Sequence, residues 1–210
     1  MGNCLIFCAG DFTDLIAPIG KEDYIIAADG GLAHTQPLGI TPHCILGDFD
    51  SLGYVPEGSA VFPVEKDDTD AMLAVRKGLE LGYRQFFLYG SLDGPRLDHT
   101  VANFQTLQYL ADHGARGYLI GNAYIATLAQ EETLRFSADA QGILSVFALR
   151  DGMVSLKGLQ YSMENGALTT GFPLGVSNYF IGQPATITTE KGSMLLLYDR
   201  KNGLPEERLA

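Results

Sequence analysis

The chain has 210 residues, 14 of them basic and 25 acidic, a net charge of −11 and a 46% hydrophobic share. That length supports one large domain or two small ones, and the apolar share argues against global disorder. The acidic balance argues against general nucleic-acid binding and against docking on anionic lipid, though a bound divalent cation can still bring an anionic ligand to a local site.

The N-terminus, Met1-Gly2-Asn3-Cys4-Leu5, carries no basic region ahead of an apolar one. No secretory signal is expected there, and no apolar run reaches the ~20 residues of a membrane span. A cytoplasmic protein is expected. Leu5–Ala9, Tyr24–Ala28, Cys44–Leu46 and Phe86–Tyr89 are continuous apolar runs. Such runs suit strands buried on both faces of a parallel sheet. Most end in Gly or Asp (Gly10, Asp29-Gly30-Gly31, Gly47-Asp48, Gly90), where ligands of open α/β sheets bind. Cys4, Cys8 and Cys44 read as buried reduced thiols, because no Cys-x-x-Cys knuckle is present.

Two helices are marked. One spans about Thr69 to Leu81, capped by Asp67 or Asp68, with Met72, Val75 and Leu79 on its buried face. The other spans about Asp98 to His113, with Val101, Phe104, Leu107 and Ala111 at helical spacing and Gly114 as terminator. After about Gly121 the pattern becomes short strands: Ala123–Ala129, Thr133–Phe136, Ile143–Leu149, Met153–Leu156, Ala167–Thr170, Ala185–Thr189 and Met194–Tyr198. Turn signals at Arg150-Asp151-Gly152, Glu164-Asn165-Gly166 and Glu190-Lys191-Gly192 separate several of them. The strand pattern of the second part suits an antiparallel sandwich or barrel, and the expected fold is α/β: an N-terminal Rossmann-like parallel-sheet domain over residues 1–125, then an antiparallel β-sandwich domain over residues 126–210.

Acids dominate the candidate chemistry. Asp48 and Asp50 follow a strand and stand two residues apart, which in extended backbone puts both carboxylates on one side. A magnesium ion between them relieves their repulsion; an Asx turn leading into a helix at Ser51 explains the same residues. Lys66-Asp67-Asp68-Thr69-Asp70 holds more acid than a cap requires. Asp70 falls in the first helical turn, and Lys66 offers charge to a phosphate. Asp29 sits at a strand end beside two glycines, as a further acid or in a plain turn. Arg96 suits bidentate phosphate binding, Asp98 suits an N-cap, and His99 is either a helix-start surface residue or a catalytic group. No Walker loop, dinucleotide fingerprint, kinase catalytic loop or nucleophile elbow occurs, so phosphate chemistry must run through acids, magnesium and scattered basic residues.

In this order, Ala28-Asp29-Gly30-Gly31, Gly47-Asp48-Phe49-Asp50-Ser51, Lys66–Asp70, Gly94–His99 and Gly175-Val176-Ser177-Asn178 resemble the segments of thiamine pyrophosphokinases, bacterial type. The resemblance implies diphosphate transfer from ATP to the hydroxyl of thiamine, giving thiamine diphosphate and AMP, with Mg2+ as cofactor. It implies a homodimer with its active site at the subunit interface, the α/β domain binding ATP and magnesium and the β domain binding thiamine. By motif, Asp48, Asp50 and Asp70 form the magnesium and triphosphate centre and Asp29 supports it. Asp98 contacts thiamine, Ser177 and Asn178 belong to the thiamine pocket, and Arg96 and Lys66 are phosphate ligands. The proton acceptor is Asp70 or Asp98. Tyr179 stands where bacterial relatives often carry an acid, and the chain has no tryptophan, so Phe180 or Tyr179 is the expected stacking partner for thiamine. The rival readings are a metal-dependent phosphohydrolase or nucleotidyltransferase on the same acids, and a non-catalytic nucleotide or thiamine sensor.

Overall fold

A computed structural model describes residues 2–49, 55, 58–61 and 68–209. Asp50, Ser51, Lys66 and Asp67, on which several expectations fall, lie outside the described residues. The chain divides into two compact units, Met1–Asn122 and Ala123–Ala210.

The first unit contains β1 (Cys4–Phe7), β2 (Tyr24–Ala28), β3 (Cys44–Gly47), β4 (Ala60–Val61), β5 (Gln85–Tyr89) and β6 (Arg116–Ile120). Its helices are α1 (Leu32–Thr35), α2 (Asp70–Glu80) and α3 (Leu97–Asp112). All pairings among its strands are parallel, in the order β6-β5-β1-β2-β3-β4. The chain winds outward from β1 through β2 and β3, then crosses back to place β5 on the other side of β1. That reversal makes a topological switch point at the carboxyl ends of β1 and β5. The apolar runs explain why the sheet forms here. Every residue of β1 is buried, as are the last four of β2, β5 and β6. Of these strands, β4 and β6 carried no expectation; in β6 the apolar run Tyr118-Leu119-Ile120 is short and follows Arg116-Gly117.

Both long helices begin within a residue of expectation, but their details differ. Thr69 caps α2, its hydroxyl accepting from Met72 N–H at 3.2 Å, whereas Asp68 lies 3.1 Å from Arg76 in an ion pair. Ala74, Val75 and Gly78 form the buried face of α2, with Met72 and Leu79 half-buried. In α3 the buried residues are Asn103, Thr106, Leu107 and Leu110, and Val101 is 51% exposed. The expected stripe through Val101 is thus rotated. Reading only apolar residues missed a face that includes two polar ones. Asp98 is not the cap of α3. It lies in the first turn, and Arg96 holds the cap position without a capping side chain.

In the second unit, β7 (Tyr124–Gln130) and β8 (Thr133–Phe136) follow expectation closely. β9 (Ile143–Lys157) and β12 (Ala185–Asp199) each run through a segment expected to be a turn. Their antiparallel pairing shifts register between Thr189 and Met194, opposite Arg150–Met153. Gly152 and Gly192 meet at this bulge: a Cβ on Gly152 would stand 1.9 Å from Lys191 O, and Gly192 has φ +81°. Glycine there marks close backbone approach within bulged strands. The bend lets β12 pair with β8 through residues 185–188 and with β7 through residues 193–199. Likewise β10 (Met163–Leu168) pairs with one end of β9 and β11 (Asn178–Tyr179) with the other. Asn165-Gly166 also lies inside a strand, where β10 shifts register. β13 (Glu207–Leu209) closes on β8, and its Arg208 forms a buried ion pair with Glu132.

Candidate active site

A crevice of about 420 Å³ opens at the switch point. Its walls come from the residues following β1 (Cys8, Ala9, Gly10), β2 (Asp29), β3 (Asp48) and β5 (Gly90, Ser91, Asp93, Gly94), together with the start of α2 and the first turns of α3. That volume lies in the usual range of small-ligand sites, roughly 300–1,000 Å³.

Three carboxylates converge there. Asp29, Asp48 and Asp70 each place an oxygen within 4.8 Å of the others. Local backbone explains the meeting. Asp29 leaves β2 with φ +48° and is buried, and Asp48 leaves β3 just ahead of Phe49, which has φ +60° and a buried ring. Phe49 is therefore not extended; Asp50, the other half of the spacing argument, lies outside the described residues. Asp70 reaches the cluster from the first turn of α2. Three hard oxygen donors at this spacing suit Mg2+, which takes carboxylates and keeps several waters. The sequence reading assigned Asp29 a supporting place; the geometry puts it within the cluster. Cys8 also lines the crevice. Burial first, and the charge of Asp70 second, push its thiol up to about 12, so it stays protonated.

Arg96 and His99 line the crevice and Asp98 does not. Instead the Asp98 carboxylate accepts two bonds from the Arg96 guanidinium, at 2.9 and 2.7 Å. Those bonds, with the charge of Arg96, lower its pKa to about 2. Ser177 and Asn178 lie in the second unit. Ser177 is exposed with φ +59°, and its N–H donates to Ser145 Oγ at 3.0 Å. Asn178 is buried. Its amide accepts from the N–H groups of Tyr161 and Tyr179 and donates to Tyr161 O, so it fastens two backbone segments. Phe180 is also buried, its ring 5.2 Å from that of Phe136, whereas Tyr179 is 43% exposed. Of the two expected stacking partners, only Tyr179 presents its ring outward.

Sequence reasoning missed Thr69, Ser91, Asp93 and Asn103, all of which line the crevice. Asn103 was findable. It lies four and seven residues before Leu107 and Leu110 on the buried face of α3, where a polar side chain needs a partner. It donates to Ser91 O at 2.7 Å. Asp93 gave no periodic signal, because it lies in a loop.

A parallel sheet with three acids at its switch-point crevice and an arginine on the rim suits an α/β enzyme that takes a polyanionic substrate. Comparison with known proteins narrows that class. Residues 18–119 match the family model "Thiamin pyrophosphokinase, catalytic domain", and residues 131–194 match "Thiamin pyrophosphokinase, vitamin B1 binding domain". The chain belongs to the thiamin pyrophosphokinase family. It is similar to the thiamine pyrophosphokinase of Bacillus subtilis strain 168, with 27% identity over 88% of this chain and 91% of that one. It is also similar to thiamin pyrophosphokinase 1 of Caenorhabditis elegans, with 27% identity over 75% and 72%. Among solved structures, the Bacillus subtilis enzyme superposes with a TM-score of 0.82 at 23% identity, covering 94% of this chain and 98% of that one. The Candida albicans enzyme gives 0.75 at 17%, covering 94% and 88%. At those identities the structures speak for the fold, a mixed α/β architecture with few helices.

Proposed function

We propose that the Asp29–Asp48–Asp70 cluster holds the divalent cation with which this enzyme moves diphosphate from ATP to the hydroxyl of thiamine. The single observation that carries this reading is the convergence of the three carboxylates within 4.8 Å in the switch-point crevice. Magnesium bound there screens the charge of the triphosphate oxygens. Arg96 on the rim donates to phosphate, with Lys66 expected to join it there and Asp50 expected to join the magnesium ligands, both from outside the described residues. The thiamine hydroxyl attacks the β-phosphorus, an O–P bond forms, the bond to the α–β bridging oxygen breaks, and AMP leaves. The protein's part is to position the two substrates and to accept the hydroxyl proton. Asp70 suits that task better than Asp98, because Asp70 lines the crevice and Asp98 does not.

The first unit is the Rossmann-like ATP-binding domain and the second the thiamine-binding sandwich, in which exposed Ser177 and Tyr179 face ligand and Asn178 shapes their backbone. A homodimer is supported by large apolar side chains in the second unit that remain exposed: Tyr161, Phe172, Leu174, Val176 and Ile181. Three free cysteines support a cytoplasmic setting. Among the described residues, no helix is long and apolar enough to cross a membrane.

Incubating the protein with ATP, Mg2+ and thiamine tests this. Thiamine diphosphate and AMP are the expected products, and Asp48→Asn should lower turnover by roughly a hundredfold or more. Phosphate or diphosphate release without thiamine would instead favour a hydrolase, and tight binding of both ligands without turnover a sensor.

A further inference from the structure

Two loops that line the crevice, after β1 and after β5, are tied together with the turn after β6 into a closed ring. From the β5–α3 loop, the backbone carbonyl of Asp93 accepts Asp11 N–H at 3.2 Å, reaching the loop after β1. The Asp93 carboxylate accepts Asn122 N–H, reaching the turn after β6. The Asn122 side chain accepts the Thr13 hydroxyl, which returns to the loop after β1. Asp93 makes two of these three ties and also lines the crevice, beside Gly10, Gly94 and Arg96.

The sequence fits the ring closely. A Cβ on Gly10 would stand 2.2 Å from Asp93 O, and one on Gly121 would stand 2.6 Å from Asp93 Oδ2. Gly94 has φ +132° and approaches Gly10 Cα. Glycine thus occupies both places where Asp93 draws two loops together, and backbone can approach there only without a side chain.

We propose that Asp93 is a positioning residue. By fixing the β5–α3 loop to its two neighbours it sets where Gly94 and Arg96 stand against the triphosphate. This rests on the reading of the crevice as the ATP site. Half-buried Asp93 needs only an acceptor oxygen for its bond to Asn122 N–H, so an amide can replace it. Loss of the side-chain acceptor cuts the loop's tie to the β6 turn and leaves the backbone bond to Asp11 alone, and displacement of substrate-gripping groups by about 1 Å is costly.

The test is steady-state kinetics with ATP varied at saturating thiamine. The KM for ATP in Asp93→Ala should rise about tenfold with kcat within about threefold, and Asp93→Asn should stay within about twofold of wild type in both. Thr13→Val, at an exposed position, should raise the KM in the same direction, and the double variant should fall short of the product of the two single effects because both cut one ring. An unchanged KM in both single variants overturns the proposal, as does an Asp93→Asn variant as impaired as Asp93→Ala. Should Asp93→Ala fail to fold, the Asp93→Asn and Thr13→Val results decide. Failure of the wild type to form thiamine diphosphate would sink the functional reading itself, a separate outcome.

Discussion

Asp98 separates what a residue type suggests from what its neighbours make of it. As an acid before a helix it reads as a cap or as a substrate contact; here Arg96 engages both of its oxygens. The pairing has a direct consequence for titration. A carboxyl-detected NMR titration should place the Asp98 midpoint at about 2, and Arg96→Ala should return it toward the ordinary aspartate value of 3.8. Since the folded-state pKa lies below that of the unfolded chain, the stabilisation from this pair is complete above pH ~4 and is lost as pH falls toward 2. Both side chains are 65% exposed, so solvent screens the pair and its share of stability is small. Asp29, Asp48 and Asp70 were visible in the sequence because each follows an apolar strand or opens a helix. Their grouping was less visible. Asp29 joins Asp48 and Asp70 through a positive φ at its own backbone, which periodicity does not encode.

At the scale of elements, continuous apolar runs located β1, β2, β3 and β5, since a strand covered on both faces admits few polar residues. Helix α3 was located but turned the wrong way. Its core face carries Asn103 and Thr106, which a search for apolar spacing discards. Substitution checks the observed rotation. Leu110→Ala should cost about 2–5 kcal/mol in denaturant unfolding, whereas Val101→Ser should change stability by no more than about 0.5 kcal/mol. A core face through Val101 would give a large loss there. Glycine-containing triplets were read as turns in the second unit because Gly and Asp commonly end strands. At Gly152 and Gly192 the glycines instead permit two backbones to meet within paired strands. Sequence alone does not separate these cases, because bulge and turn draw on the same residues.

For the whole molecule, the change from continuous to broken apolar patterning near Gly121 reflects a physical difference between the two units. The parallel strands of the first are covered on both faces, while several strands of the second expose part of their length. The exposed apolar residues of the second unit bear on assembly. Phe172 is 65% exposed, Tyr161 63% and Leu174 53%, apolar area that a partner surface could cover. Sedimentation velocity should give a species of twice the 22.7 kDa chain mass, and Phe172→Asp should shift it toward the single-chain value. A wild type that sediments as one chain at micromolar concentration would contradict the dimer.

The central place of β12 has one more consequence, for the order in which the protein is made. β7, β8 and β9 all pair with β12, which spans Ala185–Asp199, and Glu132 meets its charged partner only at Arg208. A growing polypeptide has emitted every strand of the first unit once Ile120 clears the ribosome, so that unit can assemble during translation. The second unit must hold three strands with open edges until its shared partner emerges. β10 and β11 can pair with β9 beforehand, but the unit completes only late, and the open edges of that interval are where aggregation would begin.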